Sequence, residues 1–125
     1  MKPFPWRPGM RAIDKRGTPW RVYLGAGGLC GQGELIGGYC GDWDGIAPLL
    51  EAKPDESDPA TLGALLGAAE EAWAPIGVLT VVAPVAATLG EPWRVRLTDR
   101  VGAIRAVFAG RTRFDALMAA WWSSP

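Results

Sequence analysis

A chain of 125 residues, 49% of them apolar and seven of them tryptophan, has the size and composition of one folded domain and not of a disordered tract. It contains no histidine, which removes Ser-His-Asp and Cys-His catalysis and every histidine-ligated zinc site. The formal net charge is zero but unevenly spread: residues 1–24 balance at +5, residues 25–92 at −9 and residues 93–125 at +4. The basic ends can oppose the acidic middle as a separate surface or fold against it, and the second is the favoured expectation.

In chain order, Met1 to Arg11 holds three prolines and two arginines without a continuous apolar stretch, so no signal peptide is expected. A first hairpin is predicted from Met10 to Leu24: Met10–Asp14 is one arm, Lys15-Arg16-Gly17 the turn, and Trp20–Leu24 the other arm. Trp20, Val22 and Leu24 alternate with Arg21 and Tyr23, the period of a half-buried strand. Residues 25–45 contain nine glycines, a density that predicts a loop or a poorly regular ribbon, with a short strand at Glu34-Leu35-Ile36. Ile46–Leu50 reads as an edge strand because of Pro48, and Glu51–Ser57 as a polar connection.

A helix is predicted over about 58–74. Asp58 is a good N-cap, Pro59 suits the first helical position, and Leu62, Leu65, Leu66, Ala69 and Trp73 share one face. Gly63 and Gly67 should weaken it, which suggests a closely packed neighbour there. Val78–Val82 reads as a central strand, Trp93–Leu97 as an alternating strand, and Ala103–Ala109 as its partner across a turn at Asp99–Gly102. The last helix, about 112–122, opens with Thr112 as N-cap and Asp115 three residues on; Phe114, Leu117, Met118 and Trp121 form its apolar face. The expected architecture is therefore α+β: a small antiparallel sheet of two hairpins and a central strand, with two helices packed on it, in a single domain 1–125. No apolar run is long enough to cross a bilayer, since Ile76–Leu89 is broken by Gly77 and Pro84. No membrane partner and a cytoplasmic location are expected, with Cys30 and Cys40 as reduced thiols.

Candidate chemistry is sparse. Gly25-Ala26-Gly27-Gly28 follows a strand, but the helix that would hold a phosphate does not follow it. Asp42-Trp43-Asp44-Gly45 lacks the glycine position and terminal glutamate of a calcium loop. Acidic neighbours disfavour a reactive thiol at Cys30 or Cys40. No catalytic residue, metal ligand or cofactor is assigned. Pro19-Trp20-Arg21-Val22-Tyr23-Leu24 and Pro92-Trp93-Arg94-Val95-Arg96-Leu97 agree at five of six positions, which reads either as one strand pattern used twice or as two basic ribbons. Arg21, Arg94 and Arg96 are the binding candidates on those strands. Trp6, Trp43 and Trp122, which fall off the clean apolar faces, are the aromatic candidates.

The segment Asp58-Pro59-Ala60-Thr61-Leu62-Gly63, continuing to Glu71-Ala72-Trp73, resembles small phage- and prophage-encoded proteins, as does Trp6-Arg7-Pro8-Gly9-Met10. The layout of the C-terminal half is similar, more loosely, to phage α-β-α sandwich domains. The resemblance implies a phage or prophage accessory gene. Together with the missing catalytic chemistry it makes the leading expectation a protein of the host bacterial cytoplasm that binds a host protein without catalysis, such as a component of a defence system. Nucleic-acid binding through the arginine-rich hairpins and capture of a small anionic ligand or nucleotide are the alternatives, and a homo-oligomer is left open.

Overall fold

The computed structural model describes residues 3–34 and 40–125. Its strands are β1 (Arg11–Ile13), β2 (Pro19–Gly25), β3 (Gly28–Gly33), β4 (Cys40–Asp42), β5 (Lys53–Pro54), β6 (Gly77–Val82), β7 (Trp93–Asp99) and β8 (Ile104–Gly110). Its helices are α1 (Trp43–Leu50), α2 (Pro59–Trp73) and α3 (Arg113–Trp122). The class is α+β, as expected, with two antiparallel sheets. The chain divides into two compact units, Phe4–Ala64 and Leu65–Pro125, the boundary falling inside α2.

The first unit carries the five-stranded sheet in the order β4-β3-β2-β1-β5. The predicted hairpin is present: Ala12 lies opposite Trp20, and Gly17 has the positive φ of +82° that its turn requires. Asp14 organises that turn by accepting the backbone N–H groups of Arg16 and Thr18, each at 2.9 Å, and the indole N–H of buried Trp20 at 3.0 Å. Trp20 and Val22 are buried, but the alternation stops there, for Leu24 is 71% exposed beside the next turn.

The glycine-dense stretch is more regular than expected, because Gly25 and Gly28 close a tight hairpin and β3 pairs along the whole of β2. Glycine serves a close approach at Gly31, where any Cβ would run into the ring of Trp43. Ile46–Leu50 is not a strand but the body of α1. Pro48 lies inside this eight-residue helix, where it has no N–H for the Asp44 carbonyl, and the helix ends two residues later, with Glu51 capping it in the left-handed region, φ 50°. The expected short strand falls on Leu35 and Ile36, outside the described residues. The role of the Cys40 side chain lies outside them too.

The second unit carries the remainder of α2, the sheet β6-β7-β8 and α3. Val78–Val82 belongs to an edge strand, not a central one; β7 is central because it pairs on both sides. Register sorts the side chains cleanly. Leu79, Leu97 and Ala106 form one row and Val81, Val95 and Phe108 the next on the covered face, where α3 packs with Phe114, Ala116, Leu117 and Ala120 buried. Trp73 of α2 joins this core, its ring centroid 5.8 Å from that of Phe108 and its indole N–H donating to the carbonyl of Ala120 at 2.8 Å. Thr112 caps α3 as expected, accepting the N–H of Asp115 at 3.1 Å.

The glycines of α2 do not serve a close neighbour. A Cβ at Gly63 or Gly67 would meet nothing within 4 Å. Gly63→Ala and Gly67→Ala are therefore expected to stabilise the chain by about 0.5–1 kcal/mol each, since alanine keeps the helix and restricts the unfolded chain. A lower urea midpoint in either variant would show that the space is needed.

Candidate functional site

Arginines at Arg11 and Arg21 stand directly opposite each other on β1 and β2, an arrangement that like charge disfavours. The acidic residues that follow resolve it. Glu34 reaches both, at 3.1 Å from Arg11 Nε and 3.4 Å from Arg21 Nε. Asp55 takes Arg11 Nη1 at 2.7 Å, and Asp58 takes Arg21 Nη1 at 3.0 Å. Arg21 also donates to the carbonyl of Gly9 at 2.9 Å.

The same carboxylate of Asp58 accepts the backbone N–H and hydroxyl of Thr61, both at 3.0 Å, and so caps α2 while holding Arg21. Thr61 is wholly buried and its oxygen accepts the N–H of Arg11 at 2.9 Å. The charged hydrogen bond from Arg11, then those from Ser57, hold the Asp55 carboxyl below its ordinary range. Around the first hairpin the basic end therefore folds against the acidic middle, and Arg21 is a structural clamp in this unit.

The tryptophans nominated from the sequence separate in the same way. Trp43 is fully buried at the start of α1, between two aromatic neighbours. Its ring centroid lies 5.2 Å from that of Trp6 at 86° and 6.1 Å from that of Trp20 at 45°. Trp6 is half-buried and also meets Phe4 edge-on at 4.7 Å. Both belong to the aromatic core of the first unit. Trp122, the last residue of α3, is 45% exposed.

Arg94 and Arg96 come together on the open face of the three-stranded sheet. Three cross-strand rows make that face: Val78–Thr98–Ile104, Thr80–Arg96–Val107 and Val82–Arg94–Ala109. Arg94 is paired locally with Glu91 at 3.1 Å. Among the described residues no carboxylate pairs with Arg96. Val78, Ile104 and Val107 are 66%, 57% and 52% exposed. The turn next to them exposes Val101 almost fully, and Asp99 is engaged there by the N–H groups of Val101 and Ala103 at 3.0 Å and by Arg105 at 3.8 Å. Sequence reasoning missed these aliphatics. Val107 lies between Ala106 and Phe108 in an unbroken apolar stretch, which does not reveal which side faces out.

Other candidates are occupied by structure. Gly25 to Gly28 is the turn of the β2–β3 hairpin. Cys30 is a free, half-buried thiol whose Sγ lies 3.7 Å from the carbonyl oxygen of Gly28. Among the described residues no cluster of three or more Cys, Asp or Glu could hold a metal ion, and no helix is long and apolar enough to cross a membrane. A recess of about 300 Å³ beside the first turn is lined by Asp14, Lys15, Arg16, Trp20 and Leu49, and both oxygens of Asp14 are engaged by the bonds given above. No family model matches the chain, and no curated protein or solved structure matches it either.

Proposed function

We propose that this chain is a non-enzymatic protein-binding factor whose contact surface is the open face of β6, β7 and β8. The observation that carries the reading is the coincidence on that face of three aliphatic side chains more than half exposed with an arginine, Arg96, that has no carboxylate partner among the described residues. Burying half of such an aliphatic side chain returns roughly 1 kcal/mol, so three of them supply affinity. An exposed arginine pair adds less than that and contributes mainly orientation and choice of partner. The resemblance to phage and prophage accessory proteins supports a bacterial host protein as the target and interference with a host defence system as the purpose.

The nucleic-acid alternative loses support from the first hairpin, because Arg11 and Arg21 are bound to carboxylates there. The open face of the second unit presents no aromatic side chain on which bases would stack. The test is recovery of a partner from bacterial host lysate on the immobilised chain, compared with the double variant Val78→Glu, Val107→Glu. The partner should be lost from the variant while its melting temperature stays within a few degrees of the parent. Equal recovery by both proteins would rule out this face, and binding only to DNA or RNA would replace the reading with the alternative.

A further inference from the structure

The sheet that bears the proposed contact face ends in β8, and among the described residues only β7 pairs with it. β8 is the outer strand of the order β6-β7-β8, and among the described residues no backbone group outside the β7 ladder bonds to Ile104–Gly110. The strand is seven residues long and has no proline, and Arg105 is its only charge. A bulge leaves Arg105 without a register partner between Ile104 and Ala106, so the regular edge runs from Ala106 to Gly110. An edge of this length with alternate N–H and C=O groups directed outward is a template for another strand.

We infer that β8 binds an extended acidic segment of a partner protein by strand addition, an inference that rests on the protein-binding reading of this sheet. Charge selects the occupant. Arg96 lies beside Val107 in register, and Arg105, 63% exposed, makes a long contact to Asp99 as its one ion pair among the described residues. Neighbouring strands lie about 4.8 Å apart, so an added strand runs roughly 10 Å from β7, within the combined reach of an arginine and a glutamate side chain. A glutamate on the open side of that strand can lay its methylenes over Val107 and place its carboxylate between Arg96 and Arg105. A second copy of this chain added through β8 brings Ile104, Arg105, Val107 and Ala109 to the junction, and no carboxylate. It would leave Arg96 as it is.

Three capped octapeptides test this: alternating Glu-Val, alternating Lys-Val and the Glu-Val sequence with every backbone N–H methylated, titrated calorimetrically into the full chain. The Glu-Val peptide should bind at least about ten-fold more tightly than either of the others, and its binding should slow amide hydrogen exchange at alternate residues of Ile104–Gly110. The variant Arg96→Glu, Arg105→Glu should reverse the preference towards Lys-Val, a gain of binding that misfolding cannot imitate.

Equal binding of the N-methylated peptide, which has no backbone N–H left to donate, would reduce the interaction to attraction of a polyanion and overturn strand addition. Equal binding of Lys-Val would overturn the acidic partner. Absence of peptide binding up to millimolar concentration, or concentration-dependent dimerisation blocked by Val107→Glu, would overturn the inference as a whole. If the lysate partner is still lost from the Val78→Glu, Val107→Glu protein in those cases, the binding reading stands and only its mode falls.

Discussion

Replacing Trp43 with alanine is expected to destabilise the chain by about 3–5 kcal/mol, the range for deleting a buried aromatic side chain. Folded domains hold only about 5–15 kcal/mol in reserve, so the variant should be close to unfolding at ambient temperature. The cost is high because Trp43 has no exposed surface and its ring lies on the backbone of Gly31, against the edge of Trp6 and beside Trp20. Its indole N–H has no acceptor among the described residues. Trp43→Phe removes that orphaned donor while keeping a ring, and should cost clearly less than the alanine variant.

Gly31→Ala forces a methyl into the same ring and should cost about 1–3 kcal/mol in the parent protein. In the Trp43→Ala background that penalty should largely vanish, a non-additivity diagnostic of direct contact. Urea unfolding with an unchanged slope is the measurement. A loss below about 1 kcal/mol for Trp43→Ala would contradict its position in the core.

Asp58→Ala should lower stability by about 2 kcal/mol, since it removes a helix cap and a partly buried ion-pair partner together. Its carboxylate is 15% exposed and holds both the first turn of α2 and the guanidinium of Arg21. The same cluster sets an acid limit. At Asp58 burial pushes the carboxyl upward, but bonds from Thr61 and Arg21 together outweigh it and hold the group below its ordinary 3.8. Asp55 is lowered chiefly by Arg11, and Asp14 by the indole of Trp20 against the opposing effect of burial.

For carboxyls lowered by folding, the unfolded chain binds more protons as pH falls past the ordinary value. Their stabilisation is complete above that value and is lost below it. The melting temperature should therefore hold steady towards neutral pH and fall once pH drops beneath about 4. The fall should be shallower in Asp58→Ala. A parent protein whose melting temperature is unchanged down to about pH 2 would show that these contacts add nothing to folding.

Much of the local structure was legible because it depends on near neighbours. Asp58 with Pro59, and Thr112 with Asp115, announce two helix starts through hydrogen bonds that close within a single turn. Gly17 marks a turn because only its backbone readily takes positive φ. The alternation of Val95 and Leu97 with Arg94 and Arg96 names a two-faced strand. The charge imbalance along the chain anticipated the pairing of Arg11 and Arg21 with Glu34, Asp55 and Asp58.

What neighbours in space decide was not legible. Ile46–Leu50 carries a proline and branched residues that suit an edge strand, yet it is helical because α1 seats Trp43 on Gly31. Gly63 and Gly67 have the spacing of a close packing seam, yet among the described residues nothing comes within 4 Å of a Cβ at either. The nominated Trp43 and Arg21 stand at conspicuous positions, but burial of the one and two carboxylates on the other give them structural work. Val78, Ile104 and Val107 are ordinary strand residues, and they matter because α3 covers the other face of their sheet.

By itself, then, the sequence determined the α+β class, the helix caps and the absence of histidine chemistry, all consequences of composition or of contacts a few residues apart. Only the tertiary structure decided which arginines are spent and which are available. A salt bridge between Arg21 and Asp58 joins positions far apart in the chain, and an open sheet face exists only after the strands have chosen their register.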